Sequence, residues 1–393
     1  MKHYIFLIVV LGILYSGCRK SDIQASAVCN ADYADSSYKH PDRALYQEIL
    51  DKYQRKGLPG IAVLIEDENG VWLGSAGKAD IKGGIDFKPC TVSKVASMTK
   101  MFLVTAVMQL REQGKININD KVSQHLSSDI VNKVDNLDQV TIRDLMQHTT
   151  GIYDIIFDAD FYLAVLNNPN KHWTGKELIK FAYNKPAVFA YKDTLQKAEY
   201  SNTNTLLLSM CLESITGRSH HELLRELVFD KVGMKNSYYH YHEQLPAQVA
   251  QGYFDLYNNG SIVNVSNLIT GSGNGFNGVY SSVTDIYKFM RALFIDKTLV
   301  SSGSLDLMQT FVPSGEEGDI GVGLLQQYKQ LNLGHIGVGH SGGDLGYCGE
   351  AQYFPSRNNR IFVTLVNYGT NGDTPLKDVY KDMRAEFVKT LLK

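Results

Sequence analysis

From Met101 through Val104, Val107 and Met108 to Leu110 the chain is apolar almost all the way round a helix. A helix of that kind has no wet face, so it must run through a core assembled from other parts of the chain. It opens on Ser97-Met98-Thr99-Lys100. Positions i and i+3 lie on one helix face about a turn apart, so the Lys100 amine can reach the Ser97 hydroxyl. A lysine at such a buried start needs a reason. Desolvation lowers the pKa of an amine until it can act as the base that a serine nucleophile requires.

Further along, Tyr200-Ser201-Asn202 precedes an apolar helical run, Leu206 to Ile215, which Gly217 closes as a C-terminal cap. His340-Ser341-Gly342-Gly343 sits in a glycine-rich stretch ahead of strand-like segments at Glu350 to Phe354 and Ile361 to Val366. Ser-x-x-Lys, Tyr-x-Asn and His-x-Gly in that order resemble the serine β-lactamase and penicillin-binding-protein superfamily, in the branch that holds class C β-lactamases, DD-peptidases, D-amino-acid peptidases and related esterases. The resemblance runs from roughly Ala44 onward. It includes two landmarks outside the motifs: Thr141-Ile142-Arg143-Asp144-Leu145-Met146-Gln147-His148-Thr149-Thr150-Gly151, and a glycine-and-serine turn at Gly278-Val279-Tyr280-Ser281-Ser282.

The resemblance implies a serine hydrolase that works through an acyl-enzyme on Ser97, with Lys100 and Tyr200 sharing the proton traffic and either one serving as base. A protonated His340 would help Lys100 to stabilise a Tyr200 phenolate. Asn202 would bond the substrate amide and the lysine, His340, Ser341 and Gly342 would bind substrate, and the backbone amides of Ser97 and Gly343 would hold the oxyanion. No metal or other cofactor is called for. Class C enzymes carry lysine where this chain has His340, and histidine there is more like the DD-peptidase, D-aminopeptidase and esterase members. Hydrolysis of an amide or ester is therefore expected, and a class C-type β-lactamase and a penicillin-binding sensor that does not turn over stay open as alternatives.

Periodicity predicts the frame. A helical pattern over 42–56 is followed by strands at Ile61 to Glu66 and Val71 to Ala76, joined by the hairpin signal Asp67-Glu68-Asn69-Gly70. The middle from Val95 to about Leu245 is mostly helical, strands return after Gly321, and Leu376 to Leu391 is amphipathic. The expected fold is α+β: an antiparallel sheet built from both ends of the chain, flanked by N- and C-terminal helices, with a mostly helical lobe inserted and the site in the cleft between.

Residues 1–18 read as a lipoprotein-type signal peptide, with Cys18 as the lipidated residue; an ordinary cleaved signal is the alternative. Residues 19–40 read as a flexible tether and 41–393 as the hydrolase domain. The expected setting is an exported bacterial lipoprotein in the periplasm or at the outer membrane, joined to the membrane by its anchor and acting on a small molecule or a peptide such as a cell-wall peptide. A net charge of −2 without a lysine and arginine block argues against nucleic acid as a partner.

Export permits disulfides among Cys29, Cys90, Cys211 and Cys348, and spacing does not choose a pairing. Cys211 reads as a buried free thiol, and Cys348 as a candidate for the site wall. Ser219-His220-His221-Glu222 reads as a capping box that puts both histidines in an exposed first turn. His240 and His242 would share one face of a strand without a third ligand nearby, and His148 reads as a buried, hydrogen-bonded residue.

Overall fold

The computed structural model describes residues 23, 26–27, 37–191, 197–271, 273–314, 318–370, 372 and 374–393. Residues 1–18, with Cys18, and also Cys29 lie outside the described residues.

Helix α1 (Arg43–Arg55) leads into a hairpin of β1 (Gly60–Asp67) and β2 (Gly70–Asp80), followed by the short β3 (Ile85–Asp86). Four strands come from the last quarter: β4 (Leu325–Gln327), β5 (Gly337–Asp344), β6 (Tyr347–Phe354) and β7 (Arg360–Val366). They form one seven-stranded sheet in the order β3-β2-β1-β7-β6-β5-β4, with every pair antiparallel. The two ends of the chain meet at its centre, where Ile61 of β1 lies opposite Val366 of β7.

Alternation along β1 sorts the two faces. Ile61, Val63 and Ile65 point into a core that α1 and the C-terminal helix α6 (Pro375–Leu391) close with Tyr46, Leu50, Met383 and Phe387. Ala62 and Leu64 point the other way, into the larger core around α2 (Thr99–Glu112). Every residue of α2 from Thr99 to Leu110 is buried, as its unbroken apolar run requires. The inserted lobe adds α3 (Ile142–Gln147) and α4 (Asn202–Thr216), and α5 (Val283–Met290) packs back toward the sheet. Thr141 and Asp144 form a reciprocal capping box on α3, and Gly217 ends α4 at a φ of +67°.

Several expectations change. His340-Ser341-Gly342-Gly343, read as a glycine-rich stretch ahead of the strands, itself lies within β5. Val279–Ser281 is the middle strand of a small sheet with Ser93–Lys94 and Tyr238–Tyr239, where a turn was expected. Ser219 makes no cap bond to the helix, because its hydroxyl meets His221 Nδ1. His220 is buried, since Glu213 and the Gly273 carbonyl satisfy its two ring nitrogens at 2.6 and 2.9 Å. His240 and His242 share no strand face, because the chain turns at Tyr241 with a φ of +72°. Cys348 lies in the core under α6 rather than in the site wall, because its strand position faces the terminal helices. Cys211 is a buried free thiol whose pKa burial pushes up to about 12. Cys90 is disulfide-bonded, and its partner lies outside the described residues.

Candidate active site

The chain leaves the small sheet at Lys94 and enters α2 through Val95 and Ala96. Ala96 holds a φ of +49°. A left-handed residue with a Cβ is strained by on the order of 1 kcal/mol or more, and here it sets the direction from which Ser97 emerges. Strand β5 passes close by. A Cβ on Gly342 would lie 2.3 Å from the Val95 carbonyl oxygen and 3.0 Å from the Ser97 amide nitrogen, so glycine is what permits the approach. Strand β4 pairs only with Gly337–Gly339, so the outer edge of β5 from His340 to Asp344 has no strand neighbour among the described residues. Ser97 and Gly343, whose amides are the expected oxyanion donors, both line the resulting cleft.

Lys100 is 1% exposed. Its Nζ donates to Ser97 Oγ at 2.9 Å, to Asn202 Oδ1 at 2.8 Å and to the Phe276 carbonyl at 2.9 Å. Two of these partners, an amide oxygen and a backbone carbonyl, can only accept. In the neutral amine both N–H bonds are taken by them, and the lone pair is left facing the Ser97 hydroxyl. Burial draws the Lys100 pKa down to about 7, against the pull of Asp154 and Asp344 toward the charged form. The amine is thus available as a base near neutral pH.

Tyr200 stands on the other side. Its ring stacks on His148 with centroids 4.5 Å apart and planes 13° apart, and the Lys100 ammonium position lies 5.0 Å from its ring centre. His148 closes α3 in the left-handed conformation, φ +57°. Its Nδ1 accepts from the Ser201 amide at 3.1 Å, and Asn204 Nδ2 lies 3.2 Å away. Burial and the nearby Lys100 hold His148 well below the usual histidine pKa, so its ring is a neutral platform.

His340 differs from expectation. It is 2% exposed, lies behind the cleft with its ring 6.0 Å from that of Tyr200, and does not line the cavity. Burial, reinforced by Lys100, lowers its pKa to about 3. The same desolvation that draws Lys100 down favours the neutral ring of His340 over the protonated form expected beside a Tyr200 phenolate. Ser341 is half-buried, and its hydroxyl accepts from Gln327 at 3.2 Å. Of the His340–Gly343 segment, Gly343 is the residue that reaches the cavity wall.

The cleft holds about 730 Å³. Its walls include Ile156, Phe157, Tyr162, Phe254 and Leu345, and among the described lining residues there is no lysine or arginine. Two aspartates lie in it that no motif flagged. Asp344 is ion-paired with buried Lys94 at 2.5 Å and also accepts from Asn277 at 2.9 Å. Asp154 accepts from Asn202 Nδ2 at 2.9 Å, and burial raises its pKa. The only sequence signal for Asp154 was its place just past the Thr141–Gly151 landmark.

Known proteins share this architecture. A D-stereospecific amidohydrolase from a Streptomyces species is 27% identical, with a TM-score of 0.73 over 87% of this chain and 98% of that one. A penicillin binding protein from Bacillus halodurans is 25% identical, with a TM-score of 0.71 over 86% of this chain and 98% of that one. Protein flp of Staphylococcus aureus is 28% identical over 194 residues, 48% of this chain but 36% of that protein, so the chain spans about a third of the length of the curated relatives matched first. The Beta-lactamase family pattern matches residues 43–385. With Ser97 bonded to a buried Lys100 in the fold these proteins share, the chain belongs to the beta-lactamase family.

Proposed function

We propose that this serine hydrolase cleaves the amide bond of a small substrate that carries an apolar acyl group and no carboxylate beside the scissile bond. The observation that carries the reading is Lys100, buried, with two obligate acceptors on its protons and its third contact on Ser97. Ser97 Oγ attacks the carbonyl carbon as its proton passes to Lys100, and the negative charge gathers on the carbonyl oxygen beside the amides of Ser97 and Gly343. Tyr200, held against His148 at the cleft, passes a proton to the leaving amine as the C–N bond breaks. Water then attacks the acyl-enzyme, giving its proton to Tyr200, and as the ester bond breaks Ser97 recovers a proton from Lys100.

The cleft supports the substrate class. Its apolar walls suit a hydrophobic side chain, and the described lining offers no cation to a substrate carboxylate. Penicillins and C-terminal D-Ala-D-Ala peptides both carry one. The amidohydrolase likeness over 98% of that protein supports amides over β-lactams. Incubating the purified full chain with D-phenylalanine amide, a D-Ala-D-Ala peptide and a cephalosporin, with Ser97→Ala as control, tests this. Amide turnover lost in the control is the expected result. Rapid cephalosporin hydrolysis would make it a β-lactamase, and a lasting cephalosporin adduct without turnover would make it a sensor.

Export and lipidation rest on the sequence of residues 1–18 and are supported by the disulfide at Cys90, which suits an oxidising compartment. Cys18→Ala should move the protein from the membrane to the soluble fraction.

A further inference from the structure

Asn202 is the amide that spans two buried titratable groups. Its Oδ1 accepts from Lys100 at 2.8 Å, and its Nδ2 donates to Asp154 Oδ2 at 2.9 Å. Turned the other way, the amide would aim N–H at an ammonium and oxygen at a carboxylate, both repulsive. The carboxylate therefore fixes which end of Asn202 Lys100 meets. Asp154 is itself fixed: it is 4% exposed, and its Oδ1 accepts from the Ile156 amide at 3.2 Å, which anchors the turn that carries Ile156 and Phe157 into the cleft wall. One carboxylate thus holds both the orientation of the amide at the base and a wall of the pocket.

We infer that Asp154 is a positioning residue that acts through Asn202 to aim the Lys100 amine at Ser97, and that it stabilises the protonated form of Lys100 during acyl transfer. The inference rests on Lys100 acting as the base, as proposed above. When Lys100 takes the serine proton, its third N–H faces the serine oxygen, while the other two stay on Asn202 and Phe276. The new positive charge is then balanced through the Asn202 amide by Asp154. Lys100 also faces Ser97 from its own turn, Tyr200 from the segment before α4, His148 from the end of α3, and His340 and Asp344 from β5. His148 and His340 are neutral, and Asp344 is occupied by Lys94, so Asp154 is the carboxylate linked to the base through a shared amide.

Asp154→Asn separates this role from a merely structural one, because it keeps the Oδ1 acceptor for Ile156 and presents an N–H to Asn202. The Lys100 amine is followed by ¹⁵N-lysine NMR in the full chain, its signal being the one absent from Lys100→Arg. The midpoint of Lys100 should fall by about one pH unit, kcat should fall about tenfold, and KM should stay within about twofold. In the Asn202→Leu background, Asp154→Asn should change kcat less than about twofold, since the intermediary is gone. An unchanged Lys100 midpoint, or full additivity of the two substitutions, overturns the inference. If Asp154→Asn does not fold, Asp154→Ser removes the charge while keeping a cap acceptor for the Ile156 amide, and the same fall in the Lys100 midpoint is expected. A wild type that cleaves no amide or ester, but whose Lys100 midpoint moves with residue 154, sinks the proposed function and leaves the relay standing.

Discussion

Two lysines six positions apart, Lys94 and Lys100, are buried to nearly the same degree, 3% and 1% exposed, yet the molecule treats them differently. Lys94 meets the Asp344 carboxylate at 2.5 Å, and that carboxylate is held in turn by Thr270, Asn277 and the Leu345 amide. Lys100 touches only neutral oxygens, from Ser97, Asn202 and Phe276, and its nearest carboxylate partner stands one amide away. Burial lowers the pKa of Lys100, whose cage is neutral, whereas Lys94 is held in a direct ion pair with a carboxylate. These contacts suit one lysine to an ion pair and the other to the base proposed above. The difference lies in the acceptors, not in the depth.

Exchanging their chemistry is the sharpest way to break the comparison. Lys100→Met should lower kcat by about 10³-fold or more, as loss of a general base does, while the melting temperature holds or rises because a desolvated amine is gone. A melting temperature that drops instead would mean that Lys100 is a structural ion like Lys94. Lys94→Met should do the reverse first: it leaves Asp344 buried and unpaired, and about 3 kcal/mol of stability should be lost in denaturant unfolding.

The pH profile sharpens the same contrast. With Lys100 at about 7, log kcat/KM should rise with slope one as pH increases toward 7 and level off above it, since the neutral amine is the active form. His340, at about 3, should add no inflection near neutrality, and a His340→Gln variant that shifts the rising limb would contradict its neutral assignment. The smallest effect expected is that of the Tyr200 platform. His148→Leu should reduce kcat/KM about fivefold, equivalent to roughly 1 kcal/mol of ring stacking, and steady-state kinetics at pH 8 would measure it.

Much of this was legible. Ser97 and Lys100 are bound to each other by helix geometry, which i and i+3 spacing encodes locally, and the all-apolar run behind them required a central helix. The hairpin at 67–70, the cap at Gly217 and the amphipathic end helix each follow from local patterns and stand where those patterns put them. The charge state of His340 stayed open in the sequence for a physical reason. Its letter carries a pKa near 6.5, but the burial that lowers it to about 3 comes from segments far away in the chain.

Residue types and spacing state which groups could meet: a serine, a lysine one turn on, a tyrosine ahead of an asparagine, and glycines where a strand must pass close. Their surroundings come from folding. Asp154 and Asp344 belong to no local pattern, and they reach Asn202 and Lys94 across separations of 48 and 250 positions. Charge state and orientation depend on the summed field and solvent exclusion of elements that only folding brings together.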